Sequence, residues 1–318
     1  MELSSGVIER GQDFDAYETV LAETGALGTT RKSTNRFTLL ENCLNYLENG
    51  EWKASEDLIE AFPAGAIARR GPNKAIFSPD LNAPAVFDIV TSDGKRVRGG
   101  VRQIQLTDPA TGQSTILGRV RESVKGQLIP PNQVLYPNAF DGIEADVVLI
   151  WKHNLFSQDI VLRKQPALPP DFNPTGYRLE IVTEFMVERQ PELRTRTVQS
   201  INQLELNDDV LIDFGALTTI VGIGFPLDDE SGLNVGGWDL TTEGTPLLKQ
   251  WHVADDGRQF LIESITWREV AGNLDKLANA QRANNAGATG NVLMQARVWP
   301  LPVIKNPRRE PMQVASSS

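Results

Sequence analysis

Between Tyr177 and Glu188 apolar and polar positions alternate: Tyr177, Leu179, Ile181, Thr183, Phe185 and Val187 share one parity, and Arg178, Glu180, Glu184 and Glu188 the other. A period of two sends successive side chains to opposite faces, so this segment reads as a long strand with one buried face. The cadence recurs at Ala145, Val147, Leu149 and Trp151. After a turn around Asn154 it resumes at Phe156, Ile160 and Leu162 against Ser157, Asp159 and Arg163. Alternating runs joined by short turns predict antiparallel β-structure.

Turn residues divide the rest of the chain. Residues 1–34 are polar and Gly/Ser/Thr-rich, with one short amphipathic stretch from Asp13 to Glu23, and read as a flexible N-terminal arm or linker. A core is expected from about Phe37. Asn49-Gly50 is the strongest hairpin signal, because a type I′ turn needs positive φ at both central positions, and it would bring Tyr46 and Trp52 face to face. Turns at Gly71-Pro72-Asn73, Ser92-Asp93-Gly94 and Asp108-Pro109-Ala110-Thr111-Gly112 leave room for a meander through about residue 125. A second block opens after Pro130-Pro131, and Pro166 to Pro174 must be a loop, since proline cannot donate to a ladder. A polar stretch from Glu188 to Thr197 follows, then Val210 to Phe214, a Gly-rich excursion from Gly222 to Gly244, and a hairpin at Asp255-Asp256-Gly257 returning through Phe260 to Trp267. Asn273 reads as a helix N-cap, with Leu274, Leu277, Ala278 and Gln281 at helical spacing and Gly287 as the stop. The fold class predicted is all-β: antiparallel β-sandwich modules with one short C-terminal helix. The expected division is an arm (1–34), a β meander or sandwich module (35–128), a second antiparallel module (129–270), and a short helix with a linker tail (271–318).

Charge and cysteine content narrow the function classes. A net charge of −10 over 318 residues argues against nucleic-acid binding, which rests on clustered Lys and Arg releasing counterions. Lys95, Arg96, Arg98 and Arg102 are expected on a solvated face of a hairpin. The single cysteine, Cys43, excludes an internal disulfide and a multi-cysteine zinc site, and reads as a small half-buried residue. No apolar run approaches the ~20 residues of a membrane-spanning helix, so no membrane span is expected. Met1 to Arg10 lacks the basic and apolar regions of a secretory signal.

Candidate chemistry is sparse. A Ser-His-acid triad would need His153 or His252, and no Gly-x-Ser-x-Gly elbow accompanies either; both read as turn or edge residues. Gly222-Ile223-Gly224 lacks the third glycine and following helix of a dinucleotide site, so no organic cofactor is expected. Asp228, Asp229 and Glu230 are candidate calcium ligands in the Gly-rich loop, and Asp255-Asp256 form a second acidic pair, neither with EF-hand spacing. Among the tryptophans, Trp151 and Trp267 read as core, while Trp238 and Trp251 are candidate stacking faces for carbohydrate.

The run Pro131-Asn132-Gln133-Val134-Leu135-Tyr136-Pro137-Asn138-Ala139-Phe140-Asp141-Gly142, with Ala145-Asp146-Val147 and Phe156 to Leu162, resembles an N-terminal region of very large secreted bacterial proteins, some carrying RHS-type repeats. The likeness extends upstream to Asn35–Glu41 and Asn49–Trp52, and downstream to Leu179–Phe185 and Phe260–Ser264. Its signatures are strands and turns without catalytic residues, so it implies a scaffold setting at a cell surface or outside the cell. The resulting expectation is a non-enzymatic structural, scaffold or adhesion module, with other domains of a larger protein or cell-surface partners as its contacts. A carbohydrate-binding β-sandwich is the alternative. A glycoside hydrolase ranks third, because it requires paired carboxylates across a cleft.

Overall fold

Antiparallel strands make up most of the computed structural model, which describes residues 2–24, 30–170, 172, 176–199, 206–224, 244–285 and 299–300. The chain opens with β1 (Glu2–Gly11), β2 (Phe14–Thr24) and β3 (Thr30–Leu40), paired as a three-stranded meander. The stretch expected as an arm or linker is therefore a sheet, and the amphipathic segment from Asp13 to Glu23 lies within or beside β2. Its strands look polar because neither face is packed on the main core. Phe37 is 57% exposed, so the core does not begin there; the main apolar cluster starts at Ile59.

The sheet is hooked to the rest of the molecule through Asn45, which is fully buried. Asn45 Nδ2 donates to Gly11 O at 2.8 Å, Phe14 O at 3.2 Å and Asp15 Oδ1 at 2.8 Å, and Arg10 Nη1 donates to its Oδ1 at 3.2 Å. Asn45→Ala removes these partners from buried groups, which costs about 1–3 kcal/mol. The expected result is faster hydrogen exchange in residues 4–24 and 30–40 with an unchanged global melting temperature.

The Asn49-Gly50 turn closes β4 (Asn45–Glu48) on β5 (Glu51–Ala54), with φ of 53° and 84° at the two positions. The register places Trp52 opposite Leu47 and Tyr46 opposite Lys53, so Tyr46 and Trp52 do not face each other. A two-residue turn fixes which residues oppose, and these two sit one step out of phase.

The meander then runs through β6 (Glu60–Phe62), β7 (Gly65–Ala68), β8 (Lys74–Phe77), β9 (Phe87–Val90), β10 (Arg96–Asp108) and β11 (Gln113–Val120). The next strands are β12 (Gln127–Ile129), β13 (Gln133–Tyr136), β14 (Phe140–Asp141), β15 (Ala145–Lys152) and β16 (Leu155–Leu162). They are followed by β17 (Arg178–Met186), β18 (Glu192–Gln199), β19 (Leu206–Asp213), β20 (Gly222–Gly224), β21 (Thr245–Val253), β22 (Gln259–Thr266), helix α1 (Trp267–Asn285) and β23 (Trp299–Pro300).

Two sheets carry the core. The larger has eleven strands, with β20-β21-β22-β17-β10-β9-β8-β7-β6 as its path, β11 beside β10 and β14 beside β11; the smaller is β16-β15-β13-β12-β23. β10 pairs with β17 from Arg98↔Met186 to Thr107↔Arg178, so the expected boundary between residues 128 and 129 does not separate two modules. One apolar cluster spans Ile59 to Leu274. Aromatic rings of both sheets meet at its centre, with Phe87 and Phe156 centroids 4.8 Å apart and Phe77 and Trp151 6.2 Å apart. Burying each such side chain contributes roughly 1.5–3 kcal/mol.

Polar contacts tie the layers together. Tyr136 Oη donates to Ser78 O at 2.5 Å, and burial pushes its hydroxyl far above the usual phenol range. At the register shift between Val101 and Gln103, Val101 N–H donates to Gln158 Oε1 at 3.1 Å, while Gln158 Nε2 donates to Thr183 Oγ1 at 2.9 Å. A bulge frees ladder groups, and here one is used across the sandwich. The basic segment from Lys95 to Arg102 is only partly solvated, since Arg96 pairs with Asp88 at 2.5 Å and Arg102 with Glu184 at 2.7 Å.

Helix α1 begins at Trp267, six residues before the expected N-cap Asn273, which lies inside it. Thr266 Oγ1 donates to Glu269 Oε2 at 2.6 Å and Thr266 N–H reaches the same oxygen at 3.3 Å, so a Thr-x-x-Glu pattern marks the start.

Candidate functional site

The densest group of buried charges lies where the β18–β19 hairpin meets β21. In the β21–β22 ladder Lys249 stands opposite Glu263, with Trp251 opposite Leu261 two residues on. Both charged residues share the parity of core positions. Lys249 is held by Asp209 on β19: its Nζ donates to Asp209 Oδ2 at 2.9 Å and its N–H to Oδ1 at 2.7 Å. Arg196 on β18 donates from Nε to Asp209 Oδ2 at 2.8 Å, with Nη2 in ion-pair contact at 2.7 Å. The Lys249 side chain is 1% exposed and that of Asp209 0%.

Burial pushes the Asp209 carboxyl up, but the hydrogen bonds from Lys249 and Arg196 outweigh it and hold the group below the usual carboxylate range. For Lys249 desolvation wins, and its ammonium is lowered despite Asp209. The Glu263 carboxylate accepts no hydrogen bond among the described residues. Desolvation raises its carboxyl to about 7, with Lys249 opposing and Asp159 and Asp209 adding to the rise. Gly222 makes room for it: a Cβ there would stand 3.2 Å from Glu263 Oε1 and 3.3 Å from Leu247.

Beside this group is a polar cavity of about 140 Å³ lined by Arg178, Asp208, Leu248, Lys249, Gln250 and Ser264. It has room for a few waters or a small ion and is below the ~300–1,000 Å³ of typical organic-ligand sites. Arg178 and Asp208 have no ion-pair partner among the described residues, so both signs of charge face the space.

A second polar group sits at the base of the N-terminal sheet. His153, in the β15–β16 turn, meets Asp57 Oδ1 through Nδ1 at 2.7 Å and Glu41 Oε1 through Nε2 at 3.0 Å, and Asn154 Nδ2 donates to the same Glu41 oxygen at 3.0 Å. The hydrogen bond and charge of Asp57 raise the imidazole above its ordinary value against the opposing effect of burial, and Glu41 adds to the rise. A histidine bridging two carboxylates pins three loops together, in keeping with its reading as a turn residue.

The residues singled out in the sequence do not converge on one site. Asp228, Asp229, Glu230 and Trp238 lie outside the described residues. Trp251 is partly buried in β21: it packs on Phe185 and Phe214 with centroids 5.5 Å and 6.1 Å away, and its Nε1 is buried without a hydrogen-bond partner among the described residues. Trp151 and Trp267 are buried at 4% and 3% exposure, as expected for core. Asp256 pairs with Arg258 at 2.7 Å across its turn. Cys43 is half-buried, with Asn73 Nδ2 3.5 Å from its Sγ. Among the described residues no group of three or more His, Cys, Asp or Glu side chains is placed to hold a metal ion, and no helix is long and apolar enough to cross a membrane.

In the N-terminal sheet the exposed strand is β3. Every residue of β3 is exposed, and Phe37, Leu39 and Leu40 are 57%, 43% and 76% exposed. Phe37 stacks on Tyr17 with centroids 4.9 Å apart and planes at 6°. Among the described residues the ion pair of β3 is Arg36 with Glu18 at 2.7 Å. No family model, curated protein or solved structure matches the chain.

Proposed function

We propose that this chain is a non-enzymatic scaffold or adhesion module of a cell-surface or extracellular protein, and that it makes contact through its N-terminal sheet. The observation that carries this reading is β3, which is exposed at each of its eleven residues and presents Phe37, Leu39 and Leu40 to solvent. A three-stranded sheet needs a covered face or a further layer for independent stability, and an open strand edge is a template for another strand. The rest of the fold supports the reading as a rigid base: the aromatic centre of the sandwich and the Asn45 hook hold the sheet in place.

The test uses beads coated with the whole chain. They are expected to adhere to bacterial cell envelopes, and adhesion should fall at least fivefold in the Phe37→Ser/Leu39→Ser variant, whose exposed positions leave the melting temperature within a degree or two of the parent. Saturable binding to a polysaccharide panel that the double variant leaves intact would support a carbohydrate-binding module in its place.

A further inference from the structure

Lys249, Asp209 and Glu263 hold an amine and two carboxyls in one enclosed place. Lys249 Nζ lies 2.9 Å from Asp209 Oδ2, with its side chain 1% exposed and that of Asp209 0%. Glu263 stands opposite Lys249 on the β21–β22 ladder, where directly opposed Cβ atoms are ~4.5–5.5 Å apart. The next rung on the same face is Trp251 with Leu261, so apolar side chains border the group. A nucleophile and an acyl carbon held together in this way react as parts of one molecule, and well-oriented pairs reach effective molarities of ~10⁵–10⁸ M.

We infer that Lys249 and Asp209 close to an isopeptide bond, Nζ to Cγ, with loss of one water and with Glu263 carrying the proton. The ion pair is the precursor. Desolvation works against both charges, so a fraction of molecules holds the pair as amine and carboxylic acid after the ammonium passes a proton to the carboxylate within the contact. That fraction is small, because Arg196 and the Lys249 N–H also stabilise the carboxylate, and closure is accordingly slow. The amine nitrogen attacks Asp209 Cγ; the N–C bond forms as the carbonyl π electrons move onto Oδ2, where Arg196 Nε at 2.8 Å meets the developing charge. The Glu263 carboxyl, raised to about 7, exists in both forms near neutral pH, and it takes a proton from the nitrogen and hands it to the departing Oδ1 hydroxyl. The bond from Cγ to Oδ1 breaks, the carbonyl re-forms, one water leaves, and Glu263 ends as it began. The cavity lined by Lys249, Asp208 and Ser264 lies beside the pair and has room for that water. Atoms balance without a co-reactant, and each molecule reacts once. The product fastens β19 to β21 across 40 residues of sequence, so the β18–β19 hairpin cannot be pulled from the sheet without breaking a covalent bond. This chemistry does not depend on any contact made at β3.

The experiment is intact-mass spectrometry of the full chain, fresh and after three days at 37 °C and pH 7.5. Precursor and product differ in mass, so freshly prepared chain gives the energetics of the ion pair and aged chain those of the bond. The aged parent is expected one water lighter. Cleavage after Glu, Lys and Arg should then yield residues 206–230 joined to residues 244–258, with the cut after Lys249 blocked. Lys249→Arg, which keeps the positive charge and lacks the amine, should keep its full mass. Glu263→Gln, which keeps the folded shape, should close at least tenfold more slowly, an effect that a merely structural glutamate would not produce. An aged, folded parent of full mass overturns the inference. A water that Lys249→Arg also loses overturns it as well, because it marks an aspartate cyclising onto its own backbone. A joined peptide that forms as fast in Glu263→Gln overturns the proton path and keeps the bond.

Discussion

Asp209→Ala is expected to destabilise the protein by about 3–5 kcal/mol, seen as a lower urea midpoint and loss of amide protection in residues 206–213. Asp209 is the partner that makes an enclosed ammonium tolerable: Lys249 Nζ sits 2.9 Å from it with a side chain 1% exposed. Removing one member of a buried pair strands the other charge, and that penalty exceeds what the pair itself contributes. Arg196 would lose its carboxylate as well, from 2.7 Å. The control is the double variant Asp209→Ala/Lys249→Met, which removes both charges and leaves the methionine to fill the space of the lysine stem. It should recover most of the loss, because replacing a buried ion pair by apolar residues is often close to neutral. A double variant as unstable as the single one would show that Asp209 matters through its bond to the Lys249 backbone and not through charge.

Glu263→Gln is expected to stabilise the protein at pH 8 by up to about 3 kcal/mol and to change little at pH 4. The carboxyl is raised from its ordinary 4.5 to about 7, so the folded state keeps a proton that the unfolded chain has released. Between these two values the folded protein binds more protons, and unfolding free energy falls as pH rises through the window. The stabilisation tied to this group is complete below pH 4.5, declines up to about pH 7 and is gone above it; each unit of displacement corresponds to about 1.4 kcal/mol. Glutamine keeps the shape of the neutral acid and has nothing to ionise. Unfolding curves of both proteins from pH 4 to 8 should therefore diverge steadily and then run parallel. Curves that run parallel throughout would place the carboxyl at an ordinary value and the Glu263 side chain in contact with water.

Several features of this site had a signature in the chain. Lys249 shares its parity with Leu247 and Trp251, and Glu263 with Leu261 and Ile265, so charged residues stood at core positions of strands whose alternation was otherwise regular. What those charges met was hidden, since Asp209 lies forty residues before Lys249 and on a separate hairpin. The helix start was also legible as Thr266-x-x-Glu269, but Asn273 offered a competing cap inside the same helix. The N-terminal strands were missed for a different reason: a sheet with two exposed faces needs no apolar alternation, so its sequence resembles a linker.

By itself the sequence determined that β15, β16 and β17 extend and that tight turns fall at Asn49-Gly50 and Gly257. These strands form where the alternation predicts them, although β15 is buried on both faces and β17 also buries Glu180 and Val182, and the positive φ demanded at Asn49-Gly50 and Gly257 is satisfied there. These are local consequences of side-chain alternation and backbone sterics. Only the tertiary structure decided which strand lies beside which. It joined β10 to β17 across the expected module boundary, set Asp209 against Lys249, packed Trp251 on Phe185 and Phe214, and left the edge of β3 unpaired among the described residues. A period of two states that a strand has a buried face, but partners are chosen by how all the faces close together around one core.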